Sequence, residues 1–311
     1  MTSKIIGVGN YIPSETITNL FFENHHFLDE KGIALKQDNA TNAGKLKEIT
    51  GIEERRYANK DQVTSDLGFI AAQEAIKNSG IDPETLDYII FAHNFGDVRA
   101  GTIQSDAVPS LAARVKHLLK IENNYCVAYD VLFGCPGWIE GVIQANAFIK
   151  SGIAKRCLVI GAETLSRVVD IHDRDSMIFS DGAGAVVFEA KESDEPIGII
   201  AHKSQTFASY ANLLVMGNSN NPEEKNGNLY LKMNGRKLYE FAVINVPKVV
   251  KEAIDKSGVA IEKIKTVFIH QANGKMDNAI MKRLFKLYEL DSVPENLVPM
   301  TISWLGNSSV A

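Results

Sequence analysis

The sequence predicts an α/β fold built from two similar halves, residues 1–193 and 194–311. Three observations predict it. Short apolar runs alternate with longer segments of helical spacing, the pattern of a largely parallel sheet with helices on both faces. The stretch Ala75-Ile76-Lys77-Asn78-Ser79-Gly80 returns as Ala253-Ile254-Asp255-Lys256-Ser257-Gly258. A chain of 311 residues, 45% apolar and 23% charged, is long enough for two cores or one large layered one.

Taken in order, Ile5-Ile6-Gly7-Val8-Gly9-Asn10 reads as a strand and turn. It resembles the start of a dinucleotide-binding loop, but Pro13 and a polar stretch stand where a helix should begin. Asn19 to Lys47 reads as polar and irregular. His25 and His26 within it read as solvated surface, since no further ligand stands at useful spacing. Beyond the turn Gly51–Arg56, the spacing of Leu67, Ile70, Ala71 and Ile76 predicts a helix over Thr64–Ser79, ended by Gly80. Pro83 marks a turn and Leu86–Ala92 a strand. A helix near Pro109–Leu119, a buried strand at Tyr125–Tyr129, a helix over Pro136–Lys150 and strands at Cys157–Gly161 and Ala183–Glu189 complete the half. Asp170–Asp175 crowds its carboxylates into one loop and reads as a charged surface turn rather than a metal site. Asp194-Glu195-Pro196 breaks the pattern, and Ile197-Gly198-Ile199-Ile200 restarts it with a strand.

The duplication extends further. Each copy leads across the same number of residues into a strand, Asp87–Phe91 in one and Lys265–Ile269 in the other. A second echo pairs Val131-Leu132-Phe133-Gly134-Cys135 with Ser303-Trp304-Leu305-Gly306-Asn307. Cys135 and Asn307 thus occupy equivalent strand-to-helix turns, which pseudo-twofold packing of the halves would bring together. The helix and two strands that follow Cys135 have no counterpart after Asn307. The expectation is a truncated second half, with a longer natural protein or a partner segment filling the gap.

Composition excludes several function classes. A net charge of −5 without a basic stripe argues against a nucleic-acid binder. No apolar run is long enough for a membrane span, and the N-terminus enters a strand without a signal-peptide pattern. Cys126, Cys135 and Cys157 form no C-x-x-C pair and no disulfide framework, which reads as a reducing, cytoplasmic compartment.

The chemistry centres on Cys135, between a buried strand and a helix, with Pro136 at the first helical position. Helix N–H groups and the positive end of the dipole favour a thiolate there. His270, in Ile269-His270-Gln271-Ala272-Asn273, follows the duplicated strand at the end where open α/β sheets bind ligands. A cysteine, a histidine and an asparagine together suit attack on a thioester carbonyl. A neutral imidazole and a carboxamide N–H would then donate to an enolate oxygen. Papain-like proteases use the same trio in the same order, but the neighbouring Gln and Cys-Trp signals are absent and the α/β duplication is foreign to them. A non-condensing acyl-transfer or acyl-binding protein would normally lack one of the three.

With these residues in view, the chain resembles the β-ketoacyl-acyl carrier protein synthase III family of condensing enzymes. The matching stretches are Asp130–Gly137, Asp181-Gly182-Ala183-Gly184-Ala185, His270-Gln271-Ala272-Asn273 and Gly306-Asn307-Ser308-Ser309, with Gly51–Arg56 and Pro109-Ser110 in support. The resemblance implies a duplicated thiolase-like fold in five α-β-α-β-α layers, a homodimer, and no cofactor or metal. It implies an acyl primer on Cys135, brought as an acyl carrier protein or coenzyme A thioester. Malonyl on acyl carrier protein would be decarboxylated with help from His270 and Asn307, giving a 3-oxoacyl thioester. It also implies substrate contacts at Val108, Arg167, Asn273 and Gly306, and carrier docking at Lys275. Lys45 and Ile49 depart from the family's common tryptophan and arginine for the adenine of coenzyme A. Val108 stands where a bulky aromatic residue often lines the partner's pocket. The polar Asn19–Lys47 insertion suggests a branch making secondary lipids, such as aryl polyenes or resorcinols.

Overall fold

A computed structural model describes residues 1–195 and 197–311. The strands are β1 (Thr2–Tyr11), β2 (Glu15–Thr18), β3 (Glu54–Tyr57), β4 (Tyr88–Ala92), β5 (Val127–Val131), β6 (Arg156–Thr164), β7 (Asp181–Lys191), β8 (Leu214–Gly217) and β9 (Tyr230–Met233). The α-helices are α1 (Asn39–Thr50), α2 (Thr64–Ser79), α3 (Leu111–Leu118), α4 (Gly137–Lys150), α5 (Gly235–Ser257), α6 (Gly274–Lys286) and α7 (Ile302–Leu305). Helix α2 has the predicted bounds, and the other first-half elements fall within a few residues of theirs.

Five strands form the central sheet in the order β1-β7-β6-β4-β5. Strands β4, β5 and β6 are parallel, while β7 runs against both β6 and β1. The sheet is therefore mixed, not largely parallel. Only short 3-10 turns lie between β6 and β7. A parallel return would need a crossover helix, whereas an antiparallel one does not.

Alternation along the strands divides the core. Ile89, Phe91, Leu158 and Ile160 face the layer of α2 and α3, where Leu67, Ala71, Ala75 and Leu111 are fully buried. Ile90, Ala92, Cys157 and Val159 face α4 and its Ala145 and Ile149. Each large apolar side chain so buried contributes about 1.5–3 kcal/mol. The glycines of β1 have a packing reason. A Cβ at Gly9 would lie 2.2 Å from the Ala71 carbonyl oxygen, and one at Gly7 would lie 2.2 Å from that of Ala75. Glycine here lets α2 lie on the sheet.

The duplication is visible in the backbone. Gly80 and Gly258 end α2 and α5 at φ +68° and +71°. The serine before each donates to a carbonyl three residues back, Ser79 Oγ to Ile76 at 2.7 Å and Ser257 Oγ to Ile254 at 2.6 Å. A 3-10 turn follows in both, Pro83–Thr85 and Ile261–Lys263. The halves then diverge. Residues 265–269, expected as a strand, are irregular, with one cross-link from Val267 N to Leu297 O at 2.9 Å. No described strand lies alongside to complete a ladder. The strand expected at Ile197–Ile200 is likewise absent, and Pro196 of the preceding break lies outside the described residues.

Two other expectations need correction. The Asn19–Lys47 segment is not simply polar and irregular. Phe22, Phe27, Ala43 and Leu46 join a core cluster, and Asp38 caps α1 by accepting from Thr41 N at 2.7 Å. His25 is half-buried between Phe22 and Phe27, and burial, then the charge of His172, holds its pKa down. The Asp170 loop is not merely a charged surface turn. Asp170 is buried and accepts from Lys232 Nζ and Asn220 N, both at 2.6 Å. Among the described residues, no helix is long and apolar enough to cross a membrane.

The close packing of α2 on β1 makes a prediction. Gly9→Ala forces the backbones apart and should cost about 1–3 kcal/mol of unfolding free energy. Gly44→Ala, in α1 with nothing within 4 Å of the new methyl group, should gain about 0.5–1 kcal/mol. Urea titration of both variants checks the pair of signs.

Candidate active site

Strand β5 delivers the cysteine. Asp130 near its end accepts from Leu111 N and Ala112 N, both at 2.8 Å, and so caps α3. It also pairs with His93 Nε2 at 3.0 Å, while His93 Nδ1 accepts from Gly96 N. The backbone then turns at Gly134, φ +69°, and Gly137 N donates back to Gly134 O at 2.9 Å. Helix α4 begins at Gly137 with Pro136 as its N-cap, one residue later than expected. Cys135 is left half-buried beside the helix's free N–H groups.

The second half brings its residues to the same place. Gly306 has φ +68°, the counterpart of Gly134, and a Cβ on it would lie 2.7 Å from that of Arg55. The next residue, Asn307, is buried and clamped across the seam: its N–H donates to Ile178 O at 3.0 Å, and its carbonyl accepts from Ser180 N at 2.8 Å. Its Oδ1 accepts from Ser309 N at 2.9 Å. That leaves the amide's NH2 as the group free to donate. Gln271 ties the histidine segment to this turn. Its Oε1 accepts from Thr301 N at 2.8 Å and Ile302 N at 3.0 Å, and its Nε2 donates to Pro299 O at 3.0 Å.

Cys135, His270, Gly306 and Asn307 line one cleft of about 300 Å³, walled by Trp138, Ile139, Phe268 and Leu305. The other expected site residues lie outside this lining. Arg167 is engaged elsewhere, donating to the carbonyl oxygens of Asn59 at 2.9 Å and Gln62 at 3.3 Å, with weaker contacts to Ala58 and Val98. Its donors face the chain itself rather than a nucleotide. Asn273 is the N-cap of α6, accepting from Met276 N at 3.1 Å. Lys275 is exposed and 3.6 Å from Glu48. Val108 is 86% exposed, and its carbonyl accepts from Arg114 at 3.0 Å.

Electrostatics in the cleft favour an ion pair. Burial alone pushes the Cys135 thiol up. The His270 charge and hydrogen bonds from His270, Ser309 and the Cys135 N–H outweigh it, and the thiol ends at about 7. His270 is exposed along the cleft while protein crowds the rest of its ring. That crowding lowers its pKa, but the Cys135 thiolate, the Asp277 carboxylate and the Ser309 backbone raise it overall. Each group thus favours the other's charged form, the thiol moving down and the imidazole up. Both shifts have one origin. An acyl group on sulfur removes the thiolate, and with it the main cause of the raised histidine.

Sequence reasoning assigned no role to Ser309, Asn94, Glu163 and Asp277. Ser309 Oγ donates to Cys135 Sγ at 3.4 Å. Asp277 is buried with both carboxylate oxygens unpartnered, and burial, eased by His270, pushes it up to about 7. Only Ser309 lay in a motif already singled out. A lone Asn, Glu or Asp in a strand end or helix carries no local signal of what it will face.

Known proteins resemble this chain along almost its whole length. The family described as 3-Oxoacyl-[acyl-carrier-protein (ACP)] synthase III matches residues 129–206. A β-ketoacyl-[acyl-carrier-protein] synthase III from Erythrobacter litoralis (strain HTCC2594) is 34% identical, over 99% of this chain and 87% of its own. The crystal structure of 3-oxoacyl-[acyl-carrier-protein] synthase III from Aquifex aeolicus VF5 is similar at TM-score 0.79 and 33% identity, covering 99% of this chain and 87% of that one. The corresponding Thermus thermophilus structure gives 0.79 and 31%, over 98% and 86%.

The ion pair is testable by alkylation. Cys135 should react with iodoacetamide with a midpoint near pH 7, from its pKa of about 7. The buried Cys126 and Cys157, pushed up by burial to about 11 and about 12, should stay unlabelled. His270→Ala should move the Cys135 midpoint upward, because it removes the positive partner. Peptide mass mapping of the adducts across pH gives the answer.

Proposed function

The chain belongs to the 3-oxoacyl-[acyl-carrier-protein] synthase III family of condensing enzymes, and on that premise we propose how its site works. Cys135 is the nucleophile that takes the acyl primer, and His270 and Asn307 stabilise the enolate formed when a malonyl thioester loses carbon dioxide. The observation that carries this reading is the convergence of Cys135, His270 and Asn307 on one cleft, with the thiol held near neutrality.

The steps follow from the charges. The Cys135 thiolate attacks the primer thioester, and the imidazolium of His270 supplies the proton that the leaving thiol needs. Sulfur is now uncharged, and His270 falls back to neutral imidazole. In that state its N–H and the Asn307 amide donate to the malonyl thioester oxygen without binding the carboxylate as a counter-ion. Carbon dioxide departs, negative charge collects on the oxygen, and both hydrogen bonds strengthen. The resulting carbanion attacks the acyl-sulfur carbonyl. Collapse of the adduct releases the 3-oxoacyl thioester and restores the thiolate.

The malonyl group comes on acyl carrier protein, whose acidic surface Lys275 meets at the start of α6. The primer comes as an acyl carrier protein or coenzyme A thioester. The working form is a homodimer. Supporting this, β5 is an edge strand of the sheet, Tyr125 and Leu132 flanking it are 90% and 67% exposed, and Val108 ahead of α3 is 86% exposed. Such a surface suits a second copy, with Val108 reaching the partner's acyl pocket.

Two experiments test the reading. Incubated with a panel of acyl donors, wild-type protein should gain an acyl mass on Cys135, and Cys135→Ser should gain none. His270→Ala and Asn307→Ala should still acylate, yet release carbon dioxide from malonyl thioester about 10²–10³-fold more slowly. An adduct on another residue in Cys135→Ser would sink the assignment. Val108→Phe should shift the primer profile toward short chains, by about 1–3 kcal/mol of overpacking. An unchanged profile would remove Val108 from the pocket.

A further inference from the structure

Ser309 touches all three groups of the proposed mechanism. Its hydroxyl donates to Cys135 Sγ at 3.4 Å, and its N–H donates to Asn307 Oδ1 at 2.9 Å. Its backbone also meets the His270 ring on the side that favours the imidazolium. It does this from φ +57°, in the left-handed region that residues other than glycine rarely hold.

The hydroxyl is directed from behind. A serine has one hydrogen to give and can accept as well. Asn94 Nδ2 donates to Ser309 Oγ at 3.2 Å, which occupies an accepting side and leaves the hydrogen for sulfur. The same Asn94 nitrogen also donates to Glu163 Oε1. Glu163 is wholly buried, and its Oε2 has no partner. Burial pushes its carboxyl well up. Glu163, Asn94 and Cys135 stand at or just beyond the carboxyl ends of β6, β4 and β5, which are neighbours in the sheet. The hydrogen-bond chain thus crosses three strand ends and finishes on a residue of the second half.

We propose that Ser309, oriented by Asn94 and Glu163, is a positioning residue that presents a directed hydroxyl to Cys135 and adds to His270 in keeping its thiolate populated. The inference rests on Cys135 being the nucleophile. No proton travels along the chain, because the Asn94 nitrogen donates at both ends and accepts at neither. The device sets orientation only.

The test is the pH midpoint of Cys135 alkylation by iodoacetamide, read by peptide mass, with thermal melting to show that each variant is folded. Ser309→Ala and Asn94→Leu should each raise the midpoint by about one pH unit, a tenfold loss of thiolate below both midpoints. Glu163→Leu should move it the same way, and Glu163→Gln, which keeps an acceptor oxygen, should restore it. Ser309→Ala combined with His270→Ala should exceed either change alone. Unchanged midpoints in folded Ser309→Ala and Asn94→Leu overturn the proposal. If Ser309→Ala does not fold, an unchanged midpoint in Asn94→Leu does so by itself. Survival of the low-pH alkylation signal in Cys135→Ser would instead overturn the nucleophile assignment beneath it.

Discussion

Two backbone hydrogen bonds hold the site together: Asn307 N to Ile178 O, and Ser180 N to Asn307 O. They form a parallel bridge between Phe179, just before β7, and a turn more than a hundred residues later. Without that bridge, β5 would still deliver Cys135 to the mouth of α4, but nothing would face it. With it, Asn307 is set at the seam, Ser309 reaches sulfur, and Gln271 anchors the histidine segment to the same turn. Backbone bonds suit this duty because they fix direction as well as distance.

The electrostatic consequence is a site whose charge state depends on its chemical state. Thiolate and imidazolium support one another in the free protein, against a burial that disfavours both. In the proposed mechanism, acylation would cancel the negative member and weaken the positive one. The same imidazole could then act as a neutral donor in the decarboxylation proposed for it. Asp277 tempers this change, since its own charge state is tied to His270 and lies near neutrality. Cys135 and His270 in the cleft, and the buried Asp277 coupled to His270, titrate together rather than as independent residues.

Close packing explains several features that a motif search misreads. The Gly7-Val8-Gly9 pattern that resembles a dinucleotide loop lets α2 rest on β1. Arg167, which the family resemblance directs toward a nucleotide, closes a loop by donating to backbone carbonyls. Asn273, one step beyond His270-Gln271-Ala272, caps a helix. In each, the residue's identity answers a local requirement of the backbone, and function occupies what remains.

Much of this protein was determined by its sequence alone. The period of the apolar residues specified α2 to the residue, because a helix face in contact with a core must repeat every three to four positions. The repeated Ser-Gly ends of α2 and α5 revealed the duplication, because one backbone turn demands the same small residues wherever it occurs. Cys135, His270 and Asn307 stood out because their chemistry is rare, and Cys135 and Asn307 each follow a glycine that the turn needs. The tertiary structure alone decided the direction of β7, the burial of Asp170 and the fate of residues 265–269. Each depends on which neighbour supplies a hydrogen bond, and a strand without a neighbour is not a strand. It alone decided the path from Glu163 through Asn94 to Ser309. These residues lie far apart in the chain and share no pattern, and only the alignment of three strand ends makes them a single hydrogen-bonded chain.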